Sequence, residues 1–370
     1  METEVIKPDE HAVSAVAVRA GDALKAGKLV GFATETVYGI GCIAECPHAM
    51  LRLRELKNRP NRPFSVHLSS VKDVGRYVRH VPPIAQRLMK KVWPGPLTLL
   101  LPTGDSLASP ELQSAELFEQ LCWKGTIGLR LPEPTLAREM LAATGTAVVA
   151  ASANPAGQPS ARDAAKALEY FGGQMDMLID TGPTELGQDS TIVQFQADGM
   201  NIVREGAIKA ETVQRLSRRS TLFVCTGNSC RSAMAEGIAR KLLAERAGVG
   251  VDELGKVGIE LASAGVWAAN GSPATPEAIR AARSHGADIT GHRSQKVTRQ
   301  LIKSTDLVWC MTEDHVSAVR RIAGDLSADI RRLDERGGIA DPIGGGDDVY
   351  IKVADKLAEL IDKRIHEGLL

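Results

Sequence analysis

Apolar residues recur at helical and strand spacing, in alternation, along most of the chain. Residues 11–25 place Val13, Val16, Ala20 and Leu24 on one helical face, and Gly27 stands just past the end. That pattern predicts an amphipathic helix with a glycine stop. Residues 29–32 form a short apolar strand signal that runs into Ala33-Thr34-Glu35-Thr36-Val37-Tyr38-Gly39-Ile40-Gly41, a hydroxyl-rich turn between apolar segments. Residues 47–57 predict a helix with Met50, Leu51, Leu53 and Leu56 inward, followed by a strand at 64–68. Further strands are expected at 97–101, 126–131, 147–151, 191–195 and 202–204, with helices between several of them. Many short strands mixed with helices predict an α/β sandwich built on one large twisted sheet.

The remainder of the chain reads differently. Leu222-Phe223-Val224 is an apolar strand, Cys225-Thr226-Gly227-Asn228-Ser229-Cys230-Arg231-Ser232 a tight loop, and Met234, Ile238 and Leu242 recur every four residues as one face of a helix. Strands at 259–262 and 307–311 alternate with a helix opened by Thr275-Pro276 and closed by Gly286, and with another closing at Gly324. A last helix runs from Val349. The alternation predicts a four-stranded parallel sheet.

Composition narrows the classes. A chain of 370 residues suggests two or three domains. Lys+Arg and Asp+Glu balance at 45 each, so any basic site must be local. No apolar run reaches the length of a membrane span, and the charged start lacks the apolar core of a signal peptide. The six cysteines include no C-x-x-C pair, which favours a reducing cytoplasm and argues against structural zinc. Cys42 and Cys46 read as packing residues. The join between the halves falls at 210–219, where no Pro/Ser/Gly-rich spacer stands. The expected domains are 9–209 and 220–370.

The loop from Cys225 to Ser232 carries the sharpest chemistry. Free N–H groups and the positive end of a helix dipole converge there, which makes an anion site. Gly227 is expected to permit a left-handed cradle, and Arg231 offers a planar fork for two phosphate oxygens. Cys225, between a helix N-terminus and an arginine, is placed to act as a thiolate nucleophile. Cys230 lies near enough in sequence for a disulfide with Cys225 if the backbone flexes, or it simply packs. In the first half the signals are separately weak. Lys57 and Arg59 follow a helix end, and cap its dipole on the plainest reading. Ser152 and Asn154 open a loop at a strand's C-terminal edge, where α/β proteins bind ligands. Asp189-Ser190-Thr191 begins a strand, and Trp93-Pro94-Gly95-Pro96 is a rigid turn.

The C-terminal stretch closely resembles the low-molecular-weight protein phosphatase family, from about Ser220 onward. The match rests on the Cys225 loop, Asp341-Pro342-Ile343-Gly344-Gly345 with Asp347 and Tyr350, Ser263-Ala264-Gly265, Asn270-Gly271 and Thr275-Pro276-Glu277. The resemblance implies that Cys225 forms a phospho-enzyme without a cofactor, that Arg231 clamps the phosphate and that Asp341 protonates the leaving group. Asn228 would hold the loop's shape, Ser232 would hydrogen-bond the thiolate, and Thr226, Gly227, Ser229 and Cys230 would complete the cradle. Ser229 is small and polar where phosphotyrosine-selective members carry a branched apolar residue. It resembles the phosphoarginine branch, with phosphotyrosine as the alternative. A thiol-dependent arsenate reductase is the rival reading, but that chemistry relays through two further cysteines and only Cys310 lies downstream.

Residues 9–209 resemble the YrdC-like threonylcarbamoyl-AMP synthase family. The resemblance rests on Thr34-Glu35-Thr36-Val37-Tyr38-Gly39, Lys57-x-Arg59-Pro60, Trp93-Pro94-Gly95-Pro96-Leu97-Thr98, Arg130 with Pro132, Ser152-x-Asn154 with Ser160, Ser190-Thr191 and Arg204-x-Gly206. It implies condensation of L-threonine, bicarbonate and ATP, the last bound with Mg2+, into threonylcarbamoyl-adenylate and pyrophosphate for tRNA threonylcarbamoyladenosine. Thr34, His67, Arg130 and Ser190 would line the threonine side. Lys57, Arg59, Thr126, Ser152, Asn154, Ser160 and Arg204 would hold ATP, with no metal ligand from the protein. Phosphorylated proteins, tRNA or tRNA-modification proteins follow as partners, and no membrane. Two departures stand out: Ala33 replaces a proline before Thr34, and residues 105–124 are longer than the core pattern requires. An RNA-binding module is the rival, opposed by charge neutrality and the lack of aromatic stacking clusters. A carbamoyltransferase would need zinc motifs that the sequence lacks.

Overall fold

The computed structural model describes residues 2–9, 11–59, 62–196 and 199–370. Pro60 of the Lys57-x-Arg59-Pro60 element lies outside them. The chain divides into two compact units, Met1–Val213 and Gln214–Leu370.

The first unit carries strands β1 (Glu4–Ile6), β2 (Val30–Ala33), β3 (Tyr38–Ile43), β4 (Ser65–His67), β5 (Leu97–Pro102) and β6 (Cys122–Trp123). It continues with β7 (Thr126–Arg130), β8 (Val148–Ser152), β9 (Met177–Ile179), β10 (Thr191–Gln196) and β11 (Gly199–Arg204). They make one mixed sheet in the order β1-β9-β2-β3-β8-β4-β7-β5-β10-β11, with β6 paired to β7. The helices Val13–Lys25 and Thr135–Thr144 pack with β2, β3, β8 and β9 around Leu24, Phe32, Met140 and Ile179. The expected long turn is shorter than its sequence suggested. Tyr38 to Ile43 is a fully buried strand antiparallel to β2, which leaves only 34–37 as the turn. Glycines 39 and 41 suggested a turn, yet both sit in the β2–β3 ladder. In place of proline, Ala33 pairs with Tyr38, and the Thr34 N–H closes the turn onto the Val37 carbonyl at 3.2 Å.

Strands β5, β7 and β10 set the site. Leu97, Leu99, Leu101, Ile127, Leu129, Val193 and Phe195 are buried in the core. The alternate positions Thr98, Leu100, Thr126, Gly128, Arg130, Ile192 and Gln194 line a cavity on the other face. This is the period-two division of a strand with two unlike faces. Ladder pairs Thr98↔Arg130, Leu100↔Gly128 and Ile192↔Thr98 hold these positions on common rungs.

The second unit contains β12 (Arg219–Cys225), β13 (Ile259–Gly265), β14 (Leu307–Cys310) and β15 (Asp329–Arg332), all parallel, in the order β13-β12-β14-β15. The helix Arg231–Ala247 is less one-sided than its spacing implied. Arg231 through Ala235 are all buried, and Leu243 is buried while Leu242 is only partly covered. Alanine and glycine fill the additional contacting faces, and small residues leave little trace in a hydrophobic pattern. Among the described residues no helix is long and apolar enough to cross a membrane.

Candidate functional site

In the first unit a cavity of about 500 Å³ opens on the β5–β7–β10 face. Arg130, on β7, is buried, and its guanidinium donates to the Glu35 carboxylate at 2.8 Å, to Thr36 Oγ1 at 2.6 Å and to Thr34 Oγ1 at 3.3 Å. Glu35 also accepts from the Glu133 N–H at 2.9 Å. Removing one member of so buried a pair costs about 3–5 kcal/mol, because the other charge is left unpaired. His67, on β4, is buried beside Arg130. Burial first, then that guanidinium, push its pKa down to about 3, so it is neutral. Its Nδ1 lies 3.2 Å from the Ser65 carbonyl, which can only accept, so Nε2 is left as an acceptor. Ser190 Oγ lies 3.0 Å from Thr98 Oγ1 and accepts from Arg204 at 3.2 Å.

Lys57 follows the helix Pro47–Leu56, and its ammonium donates to the Ser152 carbonyl at 2.7 Å and to the Asn154 carbonyl. Burial, then Arg59, lower its pKa to about 8. Arg59 lies over the Phe64 ring at 5.6 Å. The cavity wall carries Lys57, Arg59, Arg62, Lys124, Arg130 and Arg204 against one carboxylate among the described residues, Asp189. A chain of zero net charge has concentrated cations here, as a polyanion site requires.

Of the residues expected from sequence, Thr34, Lys57, Arg59, His67, Thr126, Arg130, Ser152, Ser190 and Arg204 all line this cavity. Asn154 and Ser160 stand behind the wall instead. Asn154 accepts from Ser152 Oγ at 2.5 Å, and Ser160 donates to Asp189 at 2.8 Å. Sequence reading passed over Glu35, Arg62 and Asp189 as site residues. Thr98 carried a signal: it is the one polar residue in Leu97-Thr98-Leu99-Leu100-Leu101.

In the second unit β12 ends at Cys225, and the loop closes onto the N-terminus of the helix Arg231–Ala247. Cys225 Sγ accepts from the Asn228 N–H at 3.3 Å and lies 3.0 Å from Ser232 Oγ. The left-handed residue of the loop is Asn228, at φ 55°, while Gly227 is not among the positive-φ positions. Asparagine tolerates that conformation when its side chain is satisfied. Here Nδ2 donates to Ser232 Oγ and Ser263 Oγ, both at 2.9 Å, and Oδ1 accepts from the Gln295 N–H at 2.8 Å. Glycine is needed one strand away. A Cβ on Gly265 would lie 2.5 Å from the Thr226 carbonyl oxygen and 2.9 Å from the Asn228 nitrogen.

Arg231 is buried, donates to the Ile339 carbonyl at 3.1 Å and Thr226 Oγ1 at 3.3 Å, and pairs with the half-exposed Asp341 carboxylate. His315 Nε2 lies 2.9 Å from Thr226 Oγ1. Burial, then Arg231, push its pKa down to about 4, so it is neutral. Sequence reading missed His315, as a lone histidine in a helix carries no signal. Cys230 Sγ lies 3.5 Å from Tyr350 OH and 3.6 Å from Thr275 Oγ1, and both cysteines are free thiols. Ser229 is partly buried, its carbonyl accepting from the Thr275 N–H at 3.0 Å. Trp267 and Ile343 are largely exposed.

Comparison with known proteins follows this division. A family model described as telomere recombination (Sua5, YciO and YrdC) matches residues 22–206, half of the chain, and that of the low molecular weight phosphotyrosine protein phosphatases matches 220–367. The threonylcarbamoyl-AMP synthase of Pyrococcus abyssi is 31% identical over 232 residues, 62% of this chain and 66% of that protein. The chain spans 66%, 53% and 49% of the length of three such synthases. The protein-arginine-phosphatase of Bacillus subtilis is 38% identical over 145 residues, 38% of this chain and 90% of that protein. A structure of a P. abyssi Sua5 variant aligns at TM-score 0.51 and 22% identity, over 80% of this chain and 98% of that one, a likeness of fold. The chain thus belongs to two families, that of Sua5, YciO and YrdC through its first half and that of the low-molecular-weight phosphatases through its second.

Proposed function

We propose that this chain is a bifunctional enzyme of the cytoplasm. The first unit makes L-threonylcarbamoyl-AMP and pyrophosphate from L-threonine, bicarbonate and ATP, for tRNA threonylcarbamoyladenosine. The observation that carries this reading is one cavity with two chemistries: Thr34, His67, Arg130 and Ser190 at one side, and Lys57, Arg59 and Arg204 in the same wall. A carbamate attacking the α-phosphorus brings anions together, and fixed cations offset the repulsion and the spreading charge. Neutral His67 can accept a hydrogen bond from the substrate. Asp189, the one carboxylate lining the cavity among the described residues, is already bonded to Ser160 and lies 3.7 Å from Arg204. Magnesium would enter on the nucleotide's phosphates. Mass spectrometry of products from L-threonine, bicarbonate and ATP tests the reading; intact ATP with no adenylate rejects it.

The second unit is proposed to remove phosphate from proteins through a phosphocysteine on Cys225. Support comes from a thiol that accepts from the Asn228 N–H at a helix N-terminus, with Arg231 at the end of the same loop and Asp341, on a separate loop, paired to that arginine. Ser229, a small hydroxyl residue where an aryl ring would need an apolar wall, favours phosphoarginine over phosphotyrosine. The ratio of kcat/KM on matched substrates, for wild type and Ser229→Ile, decides. A wild type that prefers phosphotyrosine rejects the assignment.

A further inference from the structure

We infer that Trp123 is the platform for the nucleobase of ATP, an inference that rests on the synthase reading of the cavity. The residue lies near the end of the segment 105–124, which is longer than the core pattern requires. That segment is anchored from within. Leu107, Leu112, Leu117, Leu121 and Cys122 are buried, while Trp123 is 46% exposed and lines the cavity. An indole held half open at a ligand cavity, after five buried neighbours, is not explained by packing.

Strand register fixes its place. Trp123 pairs directly with Thr126 across β6 and β7, and Thr126 Oγ1 donates to the Trp123 carbonyl at 2.8 Å. Directly opposed residues share a face, so Trp123 stands on the rung of Thr126, on the cavity side. Thr126, Gly128 and Arg130 follow one another along that face. At about 3.4 Å per residue the indole rung lies roughly 13–14 Å from Arg130. With the amino-acid carboxylate at Arg130, that span accommodates the carbamate, phosphate and ribose of an acyl-adenylate, and the base arrives at Trp123. Between the two rungs the floor is Gly128, where a Cβ would stand 3.2 Å from Leu100 Cδ2 and 3.3 Å from Ser65 Cβ. Glycine here keeps the floor between the two rungs low, and close approach of a ligand or of another backbone is one use of a glycine inside a strand. Val203, 50% exposed, lines the same cavity and adds apolar surface.

The test separates base from phosphate. Full-length wild type, Trp123→Ala and Trp123→Phe are compared for ATP and L-threonine KM in pyrophosphate release. Inhibition by tripolyphosphate, which has no base, is measured alongside. Aromatic stacking on a base contributes about 1–3 kcal/mol, so Trp123→Ala should raise ATP KM roughly five- to 150-fold. Threonine KM and the tripolyphosphate Ki should stay within twofold, and Trp123→Phe should restore most of the loss. An unchanged ATP KM overturns the inference, as it would if Trp123 instead served RNA docking. An equal rise in the tripolyphosphate Ki also overturns it, since the defect would then be general. Calorimetric binding of ATP alone keeps the two proposals apart. A wild type that binds ATP without releasing pyrophosphate rejects the synthase reading, while the wild-type to Trp123→Ala ratio of Kd still decides the role of the indole. A wild type that does not bind ATP rejects both.

Discussion

Arg231 donates directly to the Asp341 carboxylate, so the arginine expected to grip phosphate and the acid expected to protonate the leaving group occupy each other. Arg231 also donates to the Ile339 carbonyl, which ties the guanidinium to the Asp-Pro loop as well as to the cradle. An incoming phosphate must take over part of that donor set, and Asp341 would then be released towards the ester or amide whose leaving group it is proposed to protonate. Asp341→Asn should therefore lower kcat by about 10²–10⁴-fold, the usual worth of a placed general acid. Inorganic phosphate should inhibit the variant at least as well as wild type, because a charged competitor for Arg231 is gone. A fall in kcat below tenfold would remove Asp341 from the acid's role.

Lys57 holds its proton only to a pKa of about 8 in the free protein, since burial and Arg59 disfavour the cation. Below that pH it is charged and, in the proposed site, would attract nucleotide phosphates; above it the attraction would fade. ATP KM should climb as pH rises through about 8, and Lys57→Arg, which stays charged, should flatten the climb. Lys57→Ala should remove most adenylate formation without unfolding the chain. Wild-type-like pyrophosphate release from Lys57→Ala would reject the assignment.

Cys230 faces Tyr350 and Thr275, while Cys225 is held by Asn228 and Ser232. A Cys225–Cys230 bond requires the loop to give up those partners, so it forms only after oxidation of Cys225. Mild peroxide should inactivate the phosphatase, thiol should restore wild type, and Cys230→Ala should recover less as its nucleophile oxidises further. Equal recovery in both proteins would show that Cys230 only packs.

Gly265→Ala should damage the phosphatase more than the fold. The added methyl group meets the Thr226 carbonyl and the Asn228 nitrogen, both of the cradle. Overpacking of this kind costs about 1–3 kcal/mol, and any relief displaces the N–H that Cys225 Sγ accepts from. A large fall in kcat/KM with a modest drop in Tm is the expected pair of results. Unimpaired turnover would mean that the loop shape is not set from β13.

Much of this was legible in the sequence. The parallel sheet of the second unit follows from apolar runs separated by helical ones, and β5 and β7 announced themselves by composition. The cavity's cations were found because Lys57, Arg59 and Arg204 matched a known pattern, though Lys57 alone reads as a helix cap. Elsewhere the determinant was non-local. The left-handed position fell on Asn228, not Gly227, because remote hydrogen bonds satisfy the asparagine. Glu35 looked like a turn residue until β7 brought Arg130 against it. Strands β1 and β9 are three residues each and pair with one another, which no local pattern reveals.

The partners of Asn228 bear on the order of events during synthesis. Its side chain and carbonyl are satisfied by Ser263, His292 and Gln295, which lie 35, 64 and 67 residues further along. Contacts of such separation form late, because the closure entropy of the intervening chain must first be met. A nascent chain that has just released Cys225 from the ribosome therefore holds the nucleophile on an unshaped loop. It acquires a phosphate cradle only once the segment at 292–295 has emerged and docked. By then the residues that line the first unit's cavity have long been available to fold.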